Sequence, residues 1–533
     1  MSIEPKDLSH TTTDDTKAQL HRERLARLAA LEDDSITIKP MLMIKPNKPL
    51  NPRRLLGMTF LLLILFGCLL LCTPWARVDG RWPGLLFDGS FDWHLCWSII
   101  LDNFFMATSA SCVTGLTVVD VPTYYTDFGQ VILLCCIQLG GIGLMTLGTL
   151  IVSLLLGRLS SSGESQIVMN YGASATTRPN DILWQTIRYV AFFECVGLLV
   201  LSYRYFVGYD YPLLKSLWYG TFHAISAFCN AGISLHSENL IAVNHDVTYM
   251  LMITVLVILG GIGFLVISNL AHYRFWRRDL RLKGQISLHS RLVLWTTLIL
   301  LIVGTTLFVI FEWNASLATE EMPSVYESLK QGQFSVAFDS LKANFMKILT
   351  SFAQTTSFRT AGFNYIDLTE VSTPANTLSI ILMLIGASPG SMAGGVKTTT
   401  VVVLVLLIRA YVRGDQTVHV HQRTIPDTVC REAMVLFVFY LLMVFVFYFM
   451  LSITETLLLQ KAGSLGLFYE VSSAFGTVGT SLNATTSLSP IGRVIISLAM
   501  FLGRIGPLSI AMMMAGHQRV HRVRYPEESV SVG

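Results

Sequence analysis

The sequence predicts an all-α polytopic membrane protein of four repeats, each a span, a short pore helix, a polar loop and a second span, in pseudo-four-fold arrangement around one pore. Three observations predict it. Of 533 residues, 52% are hydrophobic and 14% charged, against about 25% charged in an average soluble domain. Uncharged apolar runs recur along the chain, the first at 55–71, long enough to cross roughly 30 Å of hydrocarbon as a helix. Between these runs lie shorter segments of mixed polarity, each ending in a polar motif that contains glycine.

The short segments cover 93–112, 213–229, 338–358 and 466–476. After them come VTGLTVVD at 113–120, CNAGISL at 229–235, TAGFNYIDL at 360–368 and TVGTSL at 477–482. The central glycines, Gly115, Gly232, Gly362 and Gly479, are spaced by 117, 130 and 117 residues. A second echo follows in three of the repeats. Gly140-Gly141-Ile142-Gly143 and Gly260-Gly261-Ile262-Gly263 lie 25 and 28 residues after their motif glycines, and Gly503-Arg504-Ile505-Gly506 lies 24 after Gly479. Two aligned signals define the period. The expected spans are 55–73 and 127–156, 183–207 and 247–273, 291–312 and 375–411, 431–459 and 490–515. The chain then divides into an arm (1–54), pore repeats at 55–156, 183–273, 291–411 and 431–516, and a tail (517–533).

Backbone that is neither helix nor barrel cannot face lipid, because each bare carbonyl costs several kcal/mol. Four polar loops at matching positions satisfy this rule by surrounding one axis, where their carbonyls replace the water shell of a cation. The short helix before each loop turns its partially negative C-terminus toward the same cavity. Glycine at the narrowest turn reaches backbone angles closed to other residues and permits close approach. The GGIG glycines on the spans read instead as small residues for helix packing. Asp120, Glu238 and Asp367 follow their motif glycines by five or six residues. They suit either a cation-attracting mouth or local caps, and Ala484 breaks the series in the fourth repeat.

The third repeat departs from the others. Its second span is interrupted by GASPGSMAGGVKTTT at 386–400. Pro389 with Gly386, Gly390, Gly394 and Gly395 breaks a helix, and an unwound piece just below the filter reads as an intramembrane gate. Lys397 and Arg504 are the clearest charges inside apolar spans, where charges usually face an interior cavity. Arg504 suits an electrostatic barrier in the pathway and Lys397 the inner end of the broken helix, with pairing to a carbonyl or an acid as the plainer role for both.

Net charge is +3, which argues against nucleic-acid binding. Basic residues cluster at 45–54, 274–283, 409–431 and 519–524. Such loops tend to stay cytoplasmic, and an even number of spans then places both termini inside. Cys68, Cys72, Cys135, Cys136 and Cys195 sit in apolar runs as small hydrophobes, and no metal-ligand spacing appears among the nine cysteines. No cleavable signal peptide is evident. The polar arm carries an Arg-rich, helix-prone piece at 17–31.

The motifs VTGLTVVD, RTAGFN (359–364), GASPG followed by GGVKTTT, and GRIGP (503–507) resemble the Trk/Ktr/HKT superfamily of potassium transporters, over about 54–516. Eight spans without an extra N-terminal pair look more like its KtrB-type branch than the longer TrkH branch. The resemblance implies a potassium filter at Gly115, Gly232, Gly362 and Gly479. Thr114, Ala231, Ala361 and Val478 would supply neighbouring carbonyls, with Val113, Asn230, Thr360 and Thr477 one step deeper. Sodium-selective relatives carry serine at the first filter glycine, so Gly115 implies potassium as the transported substrate. The segment 386–395 matches the family's gating loop and Arg504 its arginine beneath the filter. The family further implies a homodimer with one pore per subunit, a cytoplasmic RCK-type (KtrA- or TrkA-like) nucleotide-binding ring, and sodium dependence in some members. The basic loops 274–283 and 409–431 are candidate contact surfaces for that ring. Membrane lipid is the remaining partner, the plasma (cell inner) membrane the expected site, and no organic cofactor is implied.

Two other classes remain to be weighed. An alternating-access cation carrier, coupled to sodium or protons, also uses broken helices and repeats, although usually two rather than four. An enzyme or ATP-driven pump is the second. GGVKT lacks the Gly-Lys-Ser/Thr order that a phosphate loop needs after a strand. His419 and His421 have no carboxylate or cysteine partners in their basic loop.

Overall fold

A computed structural model describes residues 52–85, 91–142, 179–272, 286–313, 334–420 and 423–506. The expected arm up to residue 51, the basic clusters at 274–283 and 519–524, His421, the tail, and the distal parts of the spans 127–156 and 490–515 lie outside them.

The described chain is helical apart from one small hairpin. The first repeat comprises α1 (Pro52–Leu71), α2 (Trp93–Ser111), the short α3 (Val121–Tyr124) and α4 (Asp127–Gly141). The second has α5 (Pro179–Gly208), α6 (Leu213–Phe228), α7 (Val247–Ile262) and α8 (Phe264–His272). The third has α9 (Leu288–Glu312), α10 (Phe334–Ser357), α11 (Thr373–Leu384) and α12 (Thr398–Arg413). The antiparallel hairpin β1 (Val418–Val420) and β2 (Arg423–Ile425) leads into the fourth: α13 (Asp427–Thr454), α14 (Thr456–Gly476) and α15 (Pro490–Ile505).

Polarity is inverted relative to a water-soluble bundle. On α1, Leu62, Phe66 and Leu69 are 62%, 60% and 67% exposed, while Ser and Thr side chains such as Ser109, Ser226, Ser357 and Ser473 are buried at the centre. Outward apolar faces recur on α9 (Trp295, Ile299, Ile302) and α13 (Val438, Phe445, Phe449). Such a surface is stable only against hydrocarbon. Among the described residues, three helices are long and apolar enough to cross a bilayer, Trp184–Gly208, Leu288–Glu312 and Asp427–Thr454. All three belong to the first span of a repeat.

Among the described residues, the second spans of the second and third repeats are not single straight rods. The span expected at 247–273 bends by 93° between α7 and α8, at Gly263, whose φ of 88° lies in the left-handed region. Only the third repeat was expected to break. Its neighbour does too, because a glycine can leave the helix there at no steric cost. Gly506, the matching residue of the fourth repeat, has nearly the same backbone (φ 85°, ψ 147°).

Each hairpin of spans is tied at its outer end by the N-cap of the second span. Thr126 Oγ1 donates to Trp75 O at 2.5 Å. Asp246 caps α7 and pairs with Arg204 at 2.8 Å. Glu312 and Glu455, at the ends of α9 and α13, each accept the backbone N–H of Ser372 and Ser489 at 3.0 Å and the serine hydroxyl as well. A carboxylate that accepts two bonds in a buried site fixes the angle between the spans. Glu455→Ala is expected to cost about 1–3 kcal/mol, read as a lower melting temperature of the detergent-solubilised protein, whereas the exposed Glu432→Ala should leave it unchanged.

Candidate pore site

The pore helices α2, α6, α10 and α14 end in the same way. In three of them the residue two before the motif glycine donates to a carbonyl three back, as Val113, Asn230 and Thr477 do to Ala110, Ala227 and Ala474, each at 3.1 Å. Val113, Asn230, Thr360 and Thr477 all have positive φ, at 55°, 60°, 70° and 51°. Valine and threonine are strongly disfavoured there, at a cost on the order of 1–3 kcal/mol each. The residue after each has negative φ, and the motif glycine is positive again, at 100°, 67°, 75° and 99° for Gly115, Gly232, Gly362 and Gly479. Alternating signs of φ turn successive carbonyls toward one side of the chain.

Four serines near the helix ends hold this shape, and the sequence reading had not singled them out. Ser109 and Ser473 accept the N–H of Gly115 and Gly479 at 3.1 and 3.0 Å. Ser226 and Ser357 donate to the carbonyls of Ile233 and Phe363 at 2.7 and 2.5 Å. A small hydroxyl five or six residues before each motif glycine was the available signal.

The loops meet each other in a closed cycle. A Cβ placed on Gly115 would lie 2.5 Å from Ala231 O; on Gly232, 2.5 Å from Ala361 O; on Gly362, 2.5 Å from Val478 O. On Gly479 it would strike Thr114 O and come within 2.8 Å of the Gly115 Cα. Real Cβ atoms do not approach oxygen so closely, so each glycine is required by its neighbour's carbonyl. The twelve expected filter residues are thereby brought together. The hydroxyls of Thr114 and Thr477 are buried and have no hydrogen-bond partner among the described residues.

Behind the ring, Gly140, Gly260 and Gly503 pack on the ends of the pore helices, where any Cβ would strike Ser111 O, Phe228 O or Phe475 O. The packing role expected for these glycines accounts for their position. The interrupted segment between α11 and α12 lies under the fourth loop. A Cβ on Gly394 would strike the side chain of Thr477, and Gly386 faces Gly394 and Gly395 across the segment's own turn. Gly390 and Gly395 have φ of 72° and 71°.

This segment is anchored on three sides. Ser388 N and Met392 N donate to Gly261 O and Gly260 O, both at 3.2 Å, and Phe264 N donates to Gly390 O at 3.3 Å. Pro389 O lies 3.0 Å from where a Cβ on Gly263 would sit, so the two broken spans nest at that glycine. Lys397 donates to Ala393 O at 2.8 Å within the segment. Arg504 donates to Gly140 O at 2.6 Å and also to Met392 O. Both cations therefore pair with carbonyls, and Arg504 joins the first, third and fourth repeats at one point.

The acidic residues at the outer rim divide. Asp367 accepts from the N–H and hydroxyl of Thr369 at 2.9 and 2.7 Å, a local turn. Asp120 accepts from Thr123 and from Ser237 of the next repeat, both at 2.8 Å. All three expected carboxylates, Glu238 included, remain exposed.

Comparison with known proteins agrees with this geometry. The family model described as "TrkH: Cation transport protein" matches residues 89–519. The potassium/sodium uptake protein NtpJ of Enterococcus hirae is 30% identical, over 91% of this chain and 98% of its own. The Ktr system potassium uptake protein B of Bacillus subtilis is 32% identical, over 91% and 97%, and that of Vibrio alginolyticus 32%, over 81% and 88%. The potassium transporter TrkH of Vibrio parahaemolyticus, at 16% identity and a TM-score of 0.55, covers 86% of this chain and 85% of its own and shares the fold. With a family match over most of its length and relatives of this similarity, the chain is a member of the TrkH family of cation transport proteins, in the Trk/Ktr superfamily and of KtrB-like type.

Proposed function

We propose that this protein carries out channel-like potassium uptake across the plasma membrane through the glycine ring, gated by the intramembrane segment 386–397. The observation that carries the reading is the closed cycle in which each motif glycine accommodates the carbonyl of the next loop. Four inward carbonyls at one level offer a dehydrated cation a replacement for its water shell, and the pore-helix C-termini add negative potential. Potassium is the favoured ion because similar proteins are named for potassium uptake; one is named for potassium and sodium, so sodium is the second ion to assay.

The gate reading draws on the segment's place under Thr477 and on its tether to Arg504. A loop held by a few hydrogen bonds to a second broken helix can be released by a small movement of that helix. Control would come from a cytoplasmic nucleotide-binding RCK-type ring on a homodimer, as the family resemblance implies. The segment 409–431, which carries the β1–β2 hairpin, is its candidate seat.

Single-channel or macroscopic current from protein in lipid bilayers tests the central reading, because an alternating-access carrier cannot reach channel rates. Gly115→Ser puts a Cβ against Ala231 O at a positive φ and forces the ring open. The potassium-to-sodium permeability ratio is expected to fall tenfold or more, about 1.4 kcal/mol of lost discrimination, with sodium uptake retained; an unchanged ratio would remove the filter assignment. Deleting residues 390–395 is expected to raise basal potassium flux in proteoliposomes, and unaltered flux would remove the gate.

A further inference from the structure

About two turns before the filter, three of the four pore helices aim a buried polar side chain at the segment that leaves it. In α6 this is His223, nine residues before Gly232; in α14 it is Glu470, nine before Gly479; in α10 it is Gln354, eight before Gly362. All three are 0% exposed.

Their contacts fall on matching rungs. His223 Nδ1 lies 2.8 Å from Tyr219 O. A carbonyl only accepts, so Nδ1 carries the proton and Nε2 is left as the acceptor. Nε2 then accepts from Ser234 Oγ at 3.1 Å and from Leu235 N at 3.4 Å. Glu470 accepts from Thr485 Oγ1 at 2.8 Å and from Ser481 Oγ. Ser234 and Ser481 each stand two residues past their glycine. Gln354 Oε1 accepts from Tyr365 N at 2.8 Å, and Tyr365, like Leu235, stands three past its glycine.

The first repeat breaks the pattern. The matching positions in α2 are Met106 and Ala107, and neither side chain can accept a hydrogen bond from an N–H or hydroxyl in this way. The residues two and three past Gly115, Thr117 and Val118, therefore take no hydrogen bond from these two positions of the pore helix.

We propose that His223, Gln354 and Glu470 are positioning residues that fix the outer half of the filter from three sides, leaving the first repeat as its compliant quarter. This rests on the filter reading of the glycine ring. Discrimination against a smaller cation fails when carbonyls can close in on it. A hydrogen bond from a rigid helix to the residues two or three past the glycine resists that movement. At this depth no water replaces a lost partner, so each acceptor matters more than at a surface.

The experiment uses the full chain in proteoliposomes, measuring potassium and sodium uptake over a concentration series. Glu470→Gln, Ser481→Ala and Ser234→Ala are each expected to lower the ratio of sodium to potassium KM about tenfold, the scale of one hydrogen bond to a charged or buried group. The change should fall in that ratio rather than in the potassium Vmax. Glu470→Gln combined with Ser481→Ala should be no worse than Glu470→Gln alone, since the two act through one contact. Met106→Leu, in the unbraced quarter, should move the ratio less than about twofold. Ser481→Ala removes a single oxygen, and melting in detergent reports whether folding survives. If uptake falls only in step with folded protein and the ratio stays fixed, the side chains are merely structural and the proposal is overturned. If Gly115→Ser shifts ion preference while the brace variants do not, the braces fail and the filter stands; if neither shifts it, the filter reading fails first.

Discussion

Carbonyl oxygens without partners are intolerable in hydrocarbon, and the architecture follows from where four sets of them are put. Each loop turns a carbonyl oxygen toward the preceding loop's glycine, so that Ala231, Ala361, Val478 and Thr114 close a circle. The pore helices exist to deliver the loops to that circle. The flanking spans exist to carry the pore helices, with apolar side chains outward and hydroxyls inward. The N-cap ties at Thr126, Asp246, Ser372 and Ser489 set the angle at which each pair of spans holds its loop.

Much of this was legible in the sequence because it leaves marks that composition and period can carry. A glycine that must admit a neighbour's carbonyl cannot be anything else, so Gly115, Gly232, Gly362 and Gly479 stand out at near-equal spacing. A proline among glycines inside an apolar run announces the break after α11. The bend at Gly263 was not legible: Gly260-Gly261-Ile262-Gly263 reads equally well as close packing, and both are true of it. Local propensity would also have rejected Val113 and Thr477 at left-handed angles, because only the assembled ring demands them. The serines recur five or six residues before each motif glycine, but which atom each one bonds depends on χ angles and on how the loop folds back, which that spacing does not encode.

Arg504 shows how one residue acquires its role from several chain segments. It leaves α15, reaches Gly140 O at the end of α4, and holds Met392 O in the interrupted segment. That segment in turn takes its backbone partners from Gly260 and Gly261 at the end of α7. The lower boundary of the ring is thus a junction where the second span of the second repeat bends and that of the third is interrupted, and only the latter announces this through a proline within the break.

The left-handed Val113, Asn230, Thr360 and Thr477 have a consequence for assembly. An isolated hairpin has no reason to hold a β-branched residue at such an angle, and would relax toward an ordinary helix end. The energy needed to bend all four is recovered only once the circle shuts, so the pore geometry arises in one concerted closing event. A chain halted during synthesis after two repeats would possess inserted spans and short helices, yet no half-formed ring to inherit.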